Sequence, residues 1–110
     1  MSAPEATLKT EVRALLKALG FWVLNNEQGR RGRFVFGLGI GSPDLVVVVR
    51  GKFCGLELKV GKNKPTAEQL AWGAELVANG GEYHIVRSRA DVMALVTRWR
   101  NRGEVAACIG

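Results

Sequence analysis

Histidine is almost absent from this 110-residue chain, cysteine is scarce, and no apolar run reaches about 18 residues; each shortage removes a class of function. His84 alone cannot build a histidine-rich metal cluster or supply a Ser/His/Asp triad, and a lone histidine inside a predicted strand reads as structural. Cys54 and Cys108 lack the Cys-x-x-Cys spacing of zinc and redox sites, so they read as reduced cysteines with no chemistry of their own. Without a long apolar run or a charged-then-apolar N-terminus, the expectation is a cytoplasmic protein that engages no membrane. At 110 residues and 11.9 kDa, one domain spanning 1–110 is expected. Acidic residues are outnumbered as well, 10 against 16 Lys and Arg, giving a formal charge of +6 and a pI near 9.9. The excess is clustered at Arg30-Arg31-Gly32-Arg33, at Lys59, Lys62 and Lys64, and at Arg98, Arg100 and Arg102, which points to a polyanionic partner.

What is present centres on two short segments. Leu45 to Val49 is an unbroken apolar run, which predicts a strand covered on both faces, with Ser42-Pro43-Asp44 at its mouth. A turn near Arg50-Gly51-Lys52 leads into a second strand, predicted over about Phe53 to Val60. There Leu56, Leu58 and Val60 point one way while Gly55, Glu57 and Lys59 point the other. Glu57 and Lys59 read either as a solvated same-strand pair or as part of a site. An Asp at the start of the neighbouring strand, fixed by the proline before it, favours the site. Hard cations such as Mg²⁺ take carboxylate and carbonyl oxygens, which Asp44, Glu57 and the Leu58 backbone carbonyl can supply. Lys59 would then orient the attacking water and offset charge on the transition state of phosphodiester hydrolysis.

Pro43-Asp44 followed by Glu57-Leu58-Lys59 resembles the motif of the PD-(D/E)XK nuclease superfamily. With a leading helix that carries a Glu, Gln69 opening the helix after the Lys, and the strand Tyr83 to Arg87 beyond it, the chain is most similar to the virus-type replication-repair nuclease, or VRR-NUC, domain from about Glu5 to Trp99. That resemblance implies a Mg²⁺- or Mn²⁺-dependent DNA endonuclease with no organic cofactor, in a bacterial or phage-infected cell. Small stand-alone members of the family act as homodimers on branched DNA such as four-way (Holliday) junctions. It also implies a water-mediated metal contact from a helix-1 carboxylate, and a Gln beside the scissile phosphate.

The remaining elements are read from the residues themselves. The first helix is predicted from about Ala3 to Leu19, with a stripe of Leu8, Val12, Leu15, Leu16 and Leu19. Glu5 lies about 40° from the centre of that stripe and Glu11 about 80°, so Glu5 is preferred as the helix-1 carboxylate. Ser2-Ala3-Pro4-Glu5 equally spells a capping box. Thr66 and Gln69 spell another at the start of a helix over about Ala67 to Ala78, whose expected inward stripe is Leu70, Gly73, Ala74 and Val77. A last helix carries Val92, Leu95, Val96 and Trp99 at i, i+3, i+4, i+7. Between the first strand, about Phe21 to Asn25, and Asp44 lies a Gly- and Arg-rich stretch expected to be a mobile loop. Arg30, Arg31, Arg33, Lys62 and Lys64 are its candidate phosphate contacts together with the turn after Lys59. Phe34 and Phe36 are expected to pack rather than to stack on bases. Gly37-Leu38-Gly39-Ile40-Gly41 leads into a strand, not a helix, so it is no dinucleotide fingerprint.

The expected fold is therefore α/β with a mixed sheet in the order αβββαβα, restriction-endonuclease-like by resemblance. The apolar tail from Val105 to Ile109 hints at a dimer contact. The alternatives to a junction nuclease are a non-catalytic branched-DNA-binding module, a restriction-type nuclease, and a nuclease acting on flaps or on RNA.

Overall fold

A computed structural model describes residues 3–27 and 29–109, without the side chains of residue 36 and residues 103–109. Ser2 of the N-terminal capping box and the side chains of Cys108 and the rest of the apolar tail lie outside that description. The elements follow in the order α1 (Ala3–Ala18), β1 (Trp22–Asn25), β2 (Gly29–Arg31), β3 (Phe34–Phe36), β4 (Leu45–Val49), β5 (Lys52–Leu58), α2 (Ala67–Ala78), β6 (Glu82–Val86) and α3 (Arg89–Ile109). Four strands form the central mixed sheet in the order β1-β4-β5-β6. β1 and β5 run antiparallel to β4, and β6 runs parallel to β5 after the α2 crossover. Among the described residues, no helix is long and apolar enough to cross a membrane.

Alternation along the strands assigns each face of the sheet. Leu45, Val47, Cys54, Leu56, Leu58 and Val86 share a core with Leu8, Val12 and Leu16 of α1 and with Val92, Leu95, Val96 and Trp99 of α3. On the other face, α2 settles against Gly55 and Tyr83. The inward stripe expected of α2 holds only at Gly73: Ala74 is exposed, and Leu70 and Val77 are 53% and 55% exposed. Gln69, Trp72, Gly73 and Leu76 turn toward the sheet instead, a rotation of one residue or about 100°. Two contacts enforce it. Gly73 lies so close to the Tyr83 ring that a Cβ there would collide with it, and Gln69 reaches a buried acceptor on β5. Apolar periodicity lost to a close approach and a polar contact.

The Gly- and Arg-rich stretch expected to be a loop contains a hairpin, β2 paired with β3 in the register Arg30↔Val35 and Arg31↔Phe34. Gly32, at φ +59°, makes its tight turn possible. Phe34, expected to pack, is 77% exposed on this hairpin, because a two-stranded ribbon standing apart from the main sheet offers it no core. The second strand also stops at Leu58, so Lys59 sits just past its end and Val60 packs against the core from the following turn.

Candidate active site

The site is assembled at the end of the sheet where β4 begins and β5 ends. Asn26, buried just after β1, clamps the entry to β4: its amide donates to Ser42 Oγ (2.8 Å) and to the Pro43 carbonyl (2.7 Å), while its backbone N–H donates to the Asp44 carbonyl (3.0 Å). Its Oδ1 accepts from the Leu38 amide at 3.1 Å. With Asn26 as a hub, the Ser42-Pro43-Asp44 segment has little freedom, which is what a positioned carboxylate requires. Gly41, at φ +85°, lets this segment pass beside α2, where a Cβ would lie 2.6 Å from the Glu68 carbonyl oxygen. That approach ties the loop bearing Asp44 to the first turn of the helix bearing Gln69.

Asp44 and Glu57 come together across the β4–β5 pair. Asp44 Oδ2 accepts the Leu58 amide at 2.9 Å, so the aspartate is bonded to the middle residue of Glu57-Leu58-Lys59. Glu57 is only 2% exposed. Gln69 Nε2 donates to Glu57 Oε1 at 2.9 Å, while Gln69 Oε1 accepts the Thr66 amide at 2.8 Å and its own N–H donates to Thr66 Oγ1 at 3.1 Å. The capping box and the contact to the site, alternatives in the sequence, therefore coexist: one end of the amide closes the helix and the other holds Glu57. Among the described residues, Glu57 Oε2 is buried with no hydrogen-bond partner. Burial, then the charge and proximity of Asp44, push the Glu57 carboxyl up to about 8, with Lys59 pulling down and Glu5 adding to the rise.

Glu5 is buried at the start of α1 and accepts from Asn63 Nδ2 at 2.7 Å, whereas Glu11 is exposed. The turn carrying Asn63 is pinned by Arg87, whose Nη1 donates to the Gly61 and Asn63 carbonyls at 3.1 and 2.8 Å. Lys59 is half-buried beside Glu57. Two residues went unnoticed in the sequence. Asn26 gave no signal beyond following a predicted strand. Tyr83 lies on the face shared with Gly55, and its hydroxyl is buried without a partner among the described residues; burial, then Glu57 and Asp44, push it well above the ordinary tyrosine range.

A cation is the natural complement of this arrangement. Two buried carboxylates side by side cannot both stay ionised at low cost, and Glu57 Oε2 finds no N–H or O–H donor. Among the described residues no three His, Cys, Asp or Glu side chains are disposed to hold a metal by themselves. Two carboxylates completed by a carbonyl and water nevertheless fit Mg²⁺ or Mn²⁺, which retain several waters.

No family model matches the chain, and no curated protein matches it. A solved structure described as a VRR_NUC domain does match, at 26% identity and a TM-score of 0.66, over 87% of this chain and 97% of that one. This chain has the VRR-NUC fold. The likeness supports a nuclease-domain family in general. The elements that VRR-NUC resemblance led one to expect are in place: a leading helix, the antiparallel β1-β4-β5 strands, and a parallel β6 reached through α2.

The candidate DNA contacts divide by their partners. Arg30, Arg31 and Arg33 are exposed on and beside the hairpin, and Lys62 and Lys64 on the turn after Lys59. The third cluster is largely occupied within the protein: Arg102 bonds Glu82, and Arg100 donates to the Leu19 carbonyl and lies 5.9 Å over the Phe21 ring. His84 Nε2 lies 2.9 Å from Glu82 Oε1, in keeping with a structural role. Cys54 is buried and free, its thiol pushed up to about 12 by burial and by Glu82, which leaves it unreactive.

Proposed function

We propose that this VRR-NUC domain is a metal-dependent endonuclease that hydrolyses phosphodiester bonds in branched DNA, four-way junctions foremost. The observation that carries the reading is the pair Asp44–Glu57, with Glu57 pushed up to about 8 and its Oε2 left without a donor inside a nuclease-type fold. A buried group so far from its ordinary titration marks a functional site more often than a structural one. Asp44, Glu57 and the Leu58 carbonyl would hold Mg²⁺ or Mn²⁺, with Glu5 contributing through water. Such an ion supplies Lewis acidity toward the scissile phosphate and a more acidic water.

The chain's own residues do the rest. Gln69 fixes the rotamer of Glu57 through Oε1, while Oε2 has no donor among the described residues. The Leu58 amide does the same for Asp44. Lys59 places an ammonium beside Glu57, where it can orient the attacking water and offset the negative charge that builds on the phosphoryl oxygens. The exposed Arg30, Arg31 and Arg33, with Lys62 and Lys64, bind phosphates without reading bases, in keeping with recognition of shape.

Paired cuts across a junction need two such sites, so the working form is a homodimer. β1 is an edge strand whose Trp22 and Leu24 are 64% and 38% exposed, a surface that a second copy would cover. Sedimentation velocity would show the dimer; a monomer that still makes paired cuts would contradict it. The activity is tested on labelled four-way junction, flap and linear duplex DNA with Mg²⁺, Mn²⁺ or EDTA. Cutting of the junction that needs both the metal and Glu57 is expected. Tight binding with no cutting in any metal would replace the enzyme with a branched-DNA-binding module.

A further inference from the structure

An open groove of about 570 Å³ lies apart from the carboxylate site, between α1 and the end of β1, lined by Lys9, Thr10, Arg13, Lys17, Asn25 and Glu27 among others. Lys9, Arg13 and Lys17 recur every four residues, so they rise along one side of α1 over about 12 Å. None of the three has an acidic partner among the described residues. Arg13 is held against the protein with its Nε buried and, among the described residues, without a hydrogen-bond acceptor. By contrast, Lys52 and Arg102 pair with Glu82, and Arg50 and Arg87 donate to backbone carbonyls. The groove carries one carboxylate, Glu27, which accepts from Asn25 Nδ2 at 3.4 Å, against three positive charges.

The position of the groove makes the charge meaningful. Glu5 of the carboxylate site stands one helical turn before Lys9 on α1. Asn25, on the opposite wall, pairs with Leu45, the neighbour of Asp44. The groove therefore leads away from the candidate active site. We infer that the Lys9–Arg13–Lys17 face of α1 is a track for the phosphate backbone of the DNA strand that continues beyond the cleavage site. The inference rests on the nuclease reading above. A compact anion would need converging donors; a row of about 12 Å instead suits successive phosphates, which on each strand of a duplex recur about every 3.4 Å of helix axis. The track uses a helix outside every charge cluster visible as a run in the sequence, because its three cations become neighbours only when α1 is wound.

The test is the salt dependence of binding of a labelled four-way junction, in EDTA to prevent cutting, from 50 to 200 mM NaCl. Replacing Lys9, Arg13 and Lys17 together with Gln is expected to flatten the slope of log K against log salt by about two to three units. The single variant Lys17→Glu, on an exposed side chain, should flatten it by at least about one unit while leaving circular dichroism unchanged. The comparison set is Arg30, Arg31 and Arg33 changed together to Gln. Wild-type slopes in both groove variants, with binding lost in the hairpin variant, would overturn the track and leave the nuclease reading intact. Failure of the wild-type protein to bind any branched DNA would defeat the nuclease reading, and the track with it.

Discussion

Two glutamates on neighbouring strands of one sheet, Glu57 buried and Glu82 half-buried, are shifted in opposite directions. Glu57 and Glu82 belong to the same parallel ladder, in which Glu82 pairs with Cys54 and Glu57 with Ile85, about 10 Å apart along the strands. Burial would raise both. At Glu82, hydrogen bonds from Arg102, His84 and Trp99 outweigh it and bring the carboxyl down to about 2, with Lys52 3.7 Å away. At Glu57 the neighbour is another carboxylate, one oxygen has no donor, and the group is pushed up to about 8. The chain thus supplies a full set of donors at one end of the sheet and withholds it at the other. A fully compensated carboxylate holds structure together; an uncompensated one is kept for a partner that is not part of the fold.

The sharpest way to break this contrast is to neutralise each glutamate. Glu57→Gln should lower metal-dependent cleavage by at least about 10³-fold while the metal-free protein melts no lower at pH 8, since a buried charge has been removed. Glu82→Gln should do the reverse, keeping cleavage within a few-fold and losing stability. Comparable losses of cleavage in both variants would erase the distinction. A smaller effect is expected one step out from the site: Gln69→Ala should cost about 10- to 100-fold in metal affinity or rate. It should also cost about 1 kcal/mol of stability from the lost capping box, read by isothermal titration and by melting.

Proton linkage offers a third separation. The folded state binds the Glu57 proton more tightly than the unfolded chain does, so the metal-free protein should lose stability as pH rises from about 4.5 toward 8. Glu82 works oppositely, with its contribution complete above the ordinary carboxylate range and lost as pH falls toward 2. Thermal melts in EDTA should therefore decline between pH 5 and 8. Mg²⁺ should remove most of that decline, because the ion binds the deprotonated carboxylates. A flat profile in EDTA across this window would mean that Glu57 carries no excess proton.

Where the sequence could be read, local rules and the core agreed. The Leu45–Val49 run, the turn near Arg50-Gly51-Lys52, the Thr66–Gln69 box and the Val92 to Trp99 spacing each describe a contact made within a few residues or along one periodic face, and each reappears in the fold. Asp44, Glu57 and Glu5 were visible because charges at inward positions of a strand or helix stand out. The illegible parts depend on contacts between distant segments. Asn26 acts through residues 16 and 17 positions away, and the rotation of α2 is set by Tyr83 and Glu57, so neither leaves a periodic trace. The basic face of α1 was hidden for the same reason: a helix gathers every fourth residue, whereas the eye gathers runs.

The smallest expected effect tests the compensated end. Arg102 lies near the end of the described side chains of α3 and bonds Glu82 at 3.0 Å, fastening the helix to β6. Its side chain is 52% exposed, so solvent screens the pair, and Glu82 keeps Lys52, His84 and Trp99 when it is removed. Arg102→Ala should therefore cost about 1 kcal/mol, nearer the value of a surface pair than the 3–5 kcal/mol of a buried one. In urea this appears as a lower midpoint at unchanged slope, with cleavage retained. A cost as large as that of Glu82→Gln would mean that Arg102 alone compensates the glutamate. Because the donors are several, each is cheap to lose; at Glu57, where Gln69 is the one donor bonded to the carboxylate among the described residues, the same kind of deletion should be felt in the chemistry.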